Sequence, residues 1–209
     1  DVPDTSNESA RIAIGGVYTV TMNMSPTIAW LDILNPDATL HLPTMTLTLL
    51  DPSGLTNDGT VRGYDDGTIV GNITNHGLFS VRGYNQYLQL NGPTVTNHGV
   101  MIVNPEHAGT YGMLRVGADV ALQGTGYVRL DWSRAYLSTS TDMTLTQLAG
   151  HAVYGEGEVR ARLVNNGLVE ADVAGATMTL NTDPKVNNAS MRAVGGAIMV
   201  VDGVAIDQT

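Results

Sequence analysis

Short runs of alternating apolar and polar residues recur along the whole chain. They include "VYTVTMN" (17–23), "ATLHL" (38–42), "MTLTLL" (45–50), "YLQLN" (87–91), "MLRV" (113–116), "YVRL" (127–130), "ATMTLN" (176–181) and "AIMVV" (197–201). A period of two sends successive side chains to opposite faces of an extended backbone, so each run predicts a strand with one buried face. The segments between them, such as "DPSG", "NDG", "YDDG", "NHG", "NPEHAG", "NNG" and "NTDP", are built from residues that turn a chain. No stripe of helical period is long enough to make an amphipathic helix. The pattern predicts an all-β protein.

The turns recur at a fixed interval. Asn57, Asn75 and Asn97 stand in "LTNDG", "ITNHG" and "VTNHG", and Asn165 and Asn187 stand in "LVNNG" and "KVNNA". Repetition near twenty residues, with three short strands per interval, is the mark of a solenoid whose coils stack in parallel. About eight or nine coils fit the length. Stacked Asn side chains at the corners then predict an amide ladder, and Gly59, Gly77, Gly99 and Gly167 beside them are expected to hold positive-φ turns.

A longer echo lies over this one. Residues 38–104 match residues 128–194 without a gap at Leu40/Leu130, Leu55/Leu145, Tyr64/Tyr154, Gly67/Gly157, Asn75/Asn165, Gly77/Gly167, Leu90/Leu180 and Asn97/Asn187. The expectation is two tandem units, 37–126 and 127–209, after an N-terminal polar leader and cap or partial coil, 1–36.

"LTNDGTV…GTIVGNITNHGLF" and "GEGEVRARLVNNGLV" resemble the Asn-Asn-Gly-Thr-Ile repeats of right-handed parallel β-helices in secreted bacterial proteins, such as autotransporter passengers and haemagglutinin-like adhesins. The resemblance implies that fold and a bacterial cell-surface or extracellular setting. It says little about activity, because the fold carries adhesins, fibres, lyases and hydrolases.

Charge narrows the partners. Twenty acidic residues against ten basic ones give a formal net charge of −10, which disfavours nucleic acid and anionic membrane surfaces. No apolar run approaches the ~20 residues of a membrane helix. There is no cysteine, hence no disulfide or thiolate metal site. A chain beginning at Asp1 without a methionine reads as a processed secreted protein or an excised fragment.

Candidate chemistry is sparse, and the sequence predicts no catalytic residue and no cofactor. Asp58, His76 and His98 share the position between Asn and Gly in successive turns, so in register they would form a column able to bind a metal or respond to pH. Asp65 and Asp66, and Glu156 and Glu158 at the equivalent turn, are acidic pairs of the kind that can hold Ca²⁺; Glu170 and Asp172 lie on a strand. Asn7, Asn72 and Asn188 head glycosylation sequons. Trp30, Trp132, Tyr111, Tyr127 and Tyr136 would make a sugar-stacking platform if exposed, with core or end-cap packing as the alternative for about half of them. The leading expectation is a non-catalytic extracellular structural solenoid, a fibre or filament subunit, adhesin stalk or matrix component, whose partners are further copies stacked head to tail or the repeats of a parent protein. The alternatives are a polysaccharide-binding module and a polysaccharide lyase or hydrolase.

Overall fold

The computed structural model describes residues 7–63, 65–82, 85–104 and 110–208. Tyr64 of the long echo, most of the "NPEHAG" turn and the first six residues of the leader lie outside them. Among the described residues every regular element is a strand, and the strands follow one another in threes. Coil 1 is β1 (Ala10–Ile12), β2 (Tyr18–Thr21) and β3 (Thr27–Ile28). Coil 2 is β4 (Leu31–Ile33), β5 (Ala38–Leu42) and β6 (Thr46–Leu49). Coil 3 is β7 (Leu55–Asn57), β8 (Thr60–Gly63) and β9 (Gly67–Val70). Coil 4 is β10 (Ile73–Asn75), β11 (Leu78–Val81) and β12 (Gln86–Leu90). Coil 5 is β13 (Thr94–Asn97), β14 (Val100–Val103) and β15 (Gly112–Val116). Coil 6 is β16 (Val120–Gln123), β17 (Tyr127–Leu130) and β18 (Ala135–Thr139). Coil 7 is β19 (Leu145–Gln147), β20 (Ala152–Gly155) and β21 (Gly157–Val159). Coil 8 is β22 (Leu163–Asn165), β23 (Leu168–Ala171) and β24 (Thr177–Leu180). Coil 9 is β25 (Lys185–Asn187), β26 (Ser190–Ala193) and β27 (Ile198–Val201), and β28 (Ile206–Gln208) follows.

Each strand pairs in parallel with the strand three places before and after it. The result is three sheets of ten, nine and nine strands around one core. This is a parallel β-solenoid of about nine coils, roughly 40 Å long at ~4.8 Å per strand. The alternation seen in the sequence decides what faces inward. Leu40, Val61, Phe79, Met101, Val128, Val153 and Val169 form one continuous buried column on the second sheet. Burying a column of large side chains contributes about 1.5–3 kcal/mol per residue, which is what holds one coil on the next.

The ninety-residue echo spans four coils: β7 corresponds to β19, β10 to β22 and β13 to β25. The sheets run unbroken past residues 36/37 and 126/127, and residues 10–28 already supply a full coil. The register of the first sheet shifts once. Leu122 faces Val95 on one side and Gln147 on the other. The inward position that carries Asn in coils 3–5 is therefore displaced by two residues relative to coils 7–9.

Candidate functional site

The corner between the first and second sheets gathers most of the residues that the repeats single out. Asn57, Asn75 and Asn97 end β7, β10 and β13 as aligned partners, point inward and are fully buried. The Nδ2 of Asn57 donates to Oδ1 of Asn75 at 2.7 Å, and that of Asn75 to Oδ1 of Asn97 at 2.7 Å. Asn165 donates in the same way to Asn187 at 2.7 Å. The backbone carbonyls of Asn57, Asn75, Asn97 and Asn165 accept from the next corner, as in His76 N to Asn57 O (2.8 Å) and His98 N to Asn75 O (2.7 Å). The ladder satisfies buried amides that would otherwise cost about 1–3 kcal/mol each.

The glycines of these corners work differently from the expectation. None of Gly59, Gly77, Gly99 or Gly167 has a positive φ; the left-handed glycines lie elsewhere, at Gly54, Gly71 and Gly155 among others. What the four positions lack is space. A Cβ on Gly77 would lie 2.1 Å from Gly59 O, one on Gly99 2.1 Å from Gly77 O, and one on Gly167 2.3 Å from His151 O. Corner packs on corner through bare backbone, so glycine is required by sterics rather than by dihedral angle.

Outside this corner, His76 Nδ1 meets Asp58 Oδ1 at 3.0 Å, and the His76 and His98 rings stack at 5.5 Å, 9° from parallel. His98 turns its Nδ1 to Thr125 Oγ1 at 3.2 Å. The three residues do form a column, with Thr125 as its fourth member. The matching outer pair in coils 8 and 9 is Asn188 donating to Asn166 Oδ1 at 2.8 Å. Among the described residues no three His, Asp or Glu side chains converge as a metal site.

Asp65 and Asp66 sit at φ of 60° and 65° and serve the next coil. Gln86 Nε2 donates to Asp65 Oδ1, Gln86 Oε1 accepts from Asp65 N at 2.8 Å, and Tyr87 N donates to Asp66 Oδ1 at 3.0 Å. Glu158 accepts from Arg160 Nε (2.9 Å) and Asn181 (2.7 Å), and these bonds hold its carboxyl below the usual range against the opposing effect of burial. Glu170 pairs with Arg192 at 2.5 Å and Asp172 with Arg129 at 2.7 Å.

Two buried residues at the centre of this picture are not evident from the repeats. His151 is 1 % exposed and reaches across coil 6 to place Nε2 3.0 Å from Asn97 Nδ2. An amide nitrogen can only donate, so Nε2 accepts and the ring proton sits on Nδ1. Burial pushes its pKa down to about 4. Lys185 occupies the inward position of β25, where the aligned residue of β22 is Leu163. Its Nζ is capped by the carbonyls of Asn181, at 2.8 Å, and Asp183, and burial lowers its pKa to about 8 against the opposing pull of Asp183. That ammonium pins the "NTDP" turn, in which Thr182 adopts φ 66°, a conformation unusual for a β-branched residue. "KVN" in place of "LTN" or "ITN" is the signal that marks Lys185 in the sequence.

The turn pinned by Lys185 forms one wall of a shallow groove of about 330 Å³ on the third sheet, also lined by Tyr87, Tyr111, Arg115, Ser138 and Arg160. Tyr111 stacks on Tyr136 at 5.5 Å, and the Arg160 guanidinium lies 3.6 Å from the Tyr136 ring centre. The aromatic residues considered for a stacking platform are divided. Tyr111 and Tyr136 meet here, Tyr127 packs edge-on against Tyr154 on the second sheet, and Trp30 lies under Arg11.

No protein-family model, no curated protein and no solved structure matches this chain.

Proposed function

We propose that this chain is a non-catalytic structural segment, a secreted β-solenoid that serves as a stalk, fibre subunit or matrix component. The observation that carries the reading is the unbroken course of all three sheets through every coil, with a buried amide ladder at one corner. Such a body is a rod of nearly constant section. The disposition of the acids agrees with it: Glu158, Glu170, Asp172 and Asp65 are each engaged with a neighbouring side chain.

The two end faces support head-to-tail self-association. Val20 and Val201 belong to columns that are buried elsewhere, yet they are 37 % and 51 % exposed. They are joined by exposed Ile14 and Val17 at one end and Val194 and Ile198 at the other. The occupant we assign to these faces is a further coil of the same kind, from a second copy or from the repeats of a parent protein. The end of coil 9 echoes that of coil 5 ("IMVV" and "MLRV"), and coil 5 is already covered by coil 6.

Negative-stain microscopy and sizing chromatography over a wide concentration range test the reading. Short rods that lengthen in whole multiples, with growth suppressed by Val201→Glu and the melting temperature unchanged, are expected. A strict monomer at millimolar concentration would remove self-association. Turnover of a polysaccharide, abolished by changing one carboxylate, would overturn the structural role itself.

A further inference from the structure

The groove on the third sheet departs from the repeat in a way that stacking does not require. Tyr87 of coil 4 and Tyr136 of coil 6 share one outward column, with Met113 between them. The two rings are thus two coils apart, ~9.6 Å along the axis. Arg115 stands in the adjacent outward column between Gln89 and Ser138, its guanidinium 5.4 Å from the Tyr87 ring centre. Tyr136 is already covered by Tyr111 and Arg160, and Arg160 is already paired with Glu158. Tyr87, Tyr111 and Arg115 remain half-exposed, and Arg115 has no carboxylate partner among the described residues. In a chain with twenty acids for ten basic residues, an arginine left over Tyr87 and unpaired with a carboxylate is a specific arrangement; the acid of the same groove, Asp183, accepts from Thr139 Oγ1 at 3.4 Å. On the floor, the Ser138 hydroxyl has no protein partner among the described residues.

We propose that this groove binds an oligosaccharide bearing carboxylates, laid along the solenoid axis. The apolar faces of its sugar rings would rest on Tyr87 and Tyr111, and Arg115 would pair with a uronate carboxylate. The chemistry selects this class. Ring faces alternating with polar groups, with Met113 as the one aliphatic side chain of the lining, suit sugar rings, which are apolar on their faces and polar at their edges. An extended peptide would need an unpaired backbone edge, and the strands beneath the groove are paired on both sides. A nucleic acid would bring one charge per phosphate to a protein of net charge −10. A planar guanidinium stacked on a ring binds a single carboxylate in a fixed orientation. The site is independent of the structural role, since a rod can display it.

Titration calorimetry of the whole chain with a hexamer of mannuronic acid, and with neutral cellohexaose, tests the assignment. The acidic hexamer is expected to bind, more weakly as salt is raised, and at least ten-fold more tightly than the neutral one. Arg115→Gln should lower its affinity at least ten-fold, Arg115→Lys less, and Tyr87→Ala about five-fold. Arg62→Gln on the second sheet should leave it unchanged. Thermal melting of each variant shows whether it is folded. Absence of saturable binding at millimolar hexamer would overturn the proposal. So would equal binding of the two hexamers, or an affinity indifferent to both Arg115→Gln and Tyr87→Ala.

Discussion

The corner between the first and second sheets is built twice, and the two versions differ. In coils 3–5, Asn57, Asn75 and Asn97 occupy aligned positions and pass amide hydrogen bonds from one to the next. In coils 7–9 the corresponding residues are Gln147, Asn165 and Asn187. Gln147 has one more methylene, so its Nε2 overreaches to His151 O (2.8 Å) and Leu168 O (3.0 Å). That leaves Asn165 to Asn187 as the one amide-to-amide bond of the second ladder. Coil 6 carries Leu122 and Gly124 at the junction and offers no rung. Asn97 Nδ2 donates instead to Tyr127 O at 3.2 Å and, two coils away, to His151 Nε2 at 3.0 Å. Among the described residues, three buried atoms without a partner lie at the ladder ends and at this break: Asn57 Oδ1, Gln147 Oε1 and His151 Nδ1. Repetition satisfies polar groups only while it continues unchanged; each interruption leaves an orphan or recruits a substitute.

This comparison can be broken most severely at Gly77. Its Cβ would lie 2.1 Å from a backbone oxygen of the coil below, so Gly77→Val should cost about 3 kcal/mol or prevent folding. Gly175, at φ 75° with nothing within 4 Å of a Cβ, gives the contrast. There Gly→Ala should cost only about 1 kcal/mol, from dihedral strain. Urea denaturation of both variants separates packing from conformation.

His151 sharpens the comparison through pH. Its folded pKa of about 4 lies below the ordinary 6.5, so the unfolded chain binds the extra proton. The stabilisation is complete above pH 6.5, falls as the pH drops toward 4, and changes no further below that. The loss approaches about 3 kcal/mol across this window at 1.36 kcal/mol per pKa unit. His151→Gln should flatten that slope in denaturation curves taken at pH 7 and pH 4.5.

Asn75 is the middle rung, donor to one neighbour and acceptor from another. Asn75→Ala should cost about 2 kcal/mol, and Asn187→Ala, at the end of the second ladder, about 1 kcal/mol. Equal losses at the two sites would mean that the ladder has no cumulative role. The smallest effect is expected outside the corner. Asp58 and His76 have side chains 40 % and 48 % exposed, and Asp58→Asn should change stability by less than about 0.5 kcal/mol at pH 6.

The alternation of the strands, the twenty-residue interval and the Asn ladder at the corner were all legible, because each depends on local period and on a side chain that repeats. The reason for the glycines was not. Gly77 looks like any turn glycine until the coil beneath it is in place, and only the stack shows the contact between backbones. His151 was hidden because the gapless ninety-residue register sets it opposite Val61, an ordinary core position. Its role arises from its reach to the Asn97 amide, two coils away. The groove was legible in fragments. Tyr111 and Tyr136 stood out as aromatic residues, but nothing local joins them to Arg115, Arg160 and a turn held from inside by Lys185.

The account rests on one rigid rod of regularly stacked coils, and the absence of cysteine allows a direct test with spin labels at introduced cysteines. Thr56, Thr146 and Val186 are the central residues of β7, β19 and β25, in coils 3, 7 and 9. Pulsed electron–electron distance measurements should give narrow distributions near ~20 Å for Thr56 with Thr146 and ~30 Å for Thr56 with Val186, rising by one strand spacing per coil. Broad distributions, or a Val186 distance no longer than that of Thr146, would contradict the stacked rod.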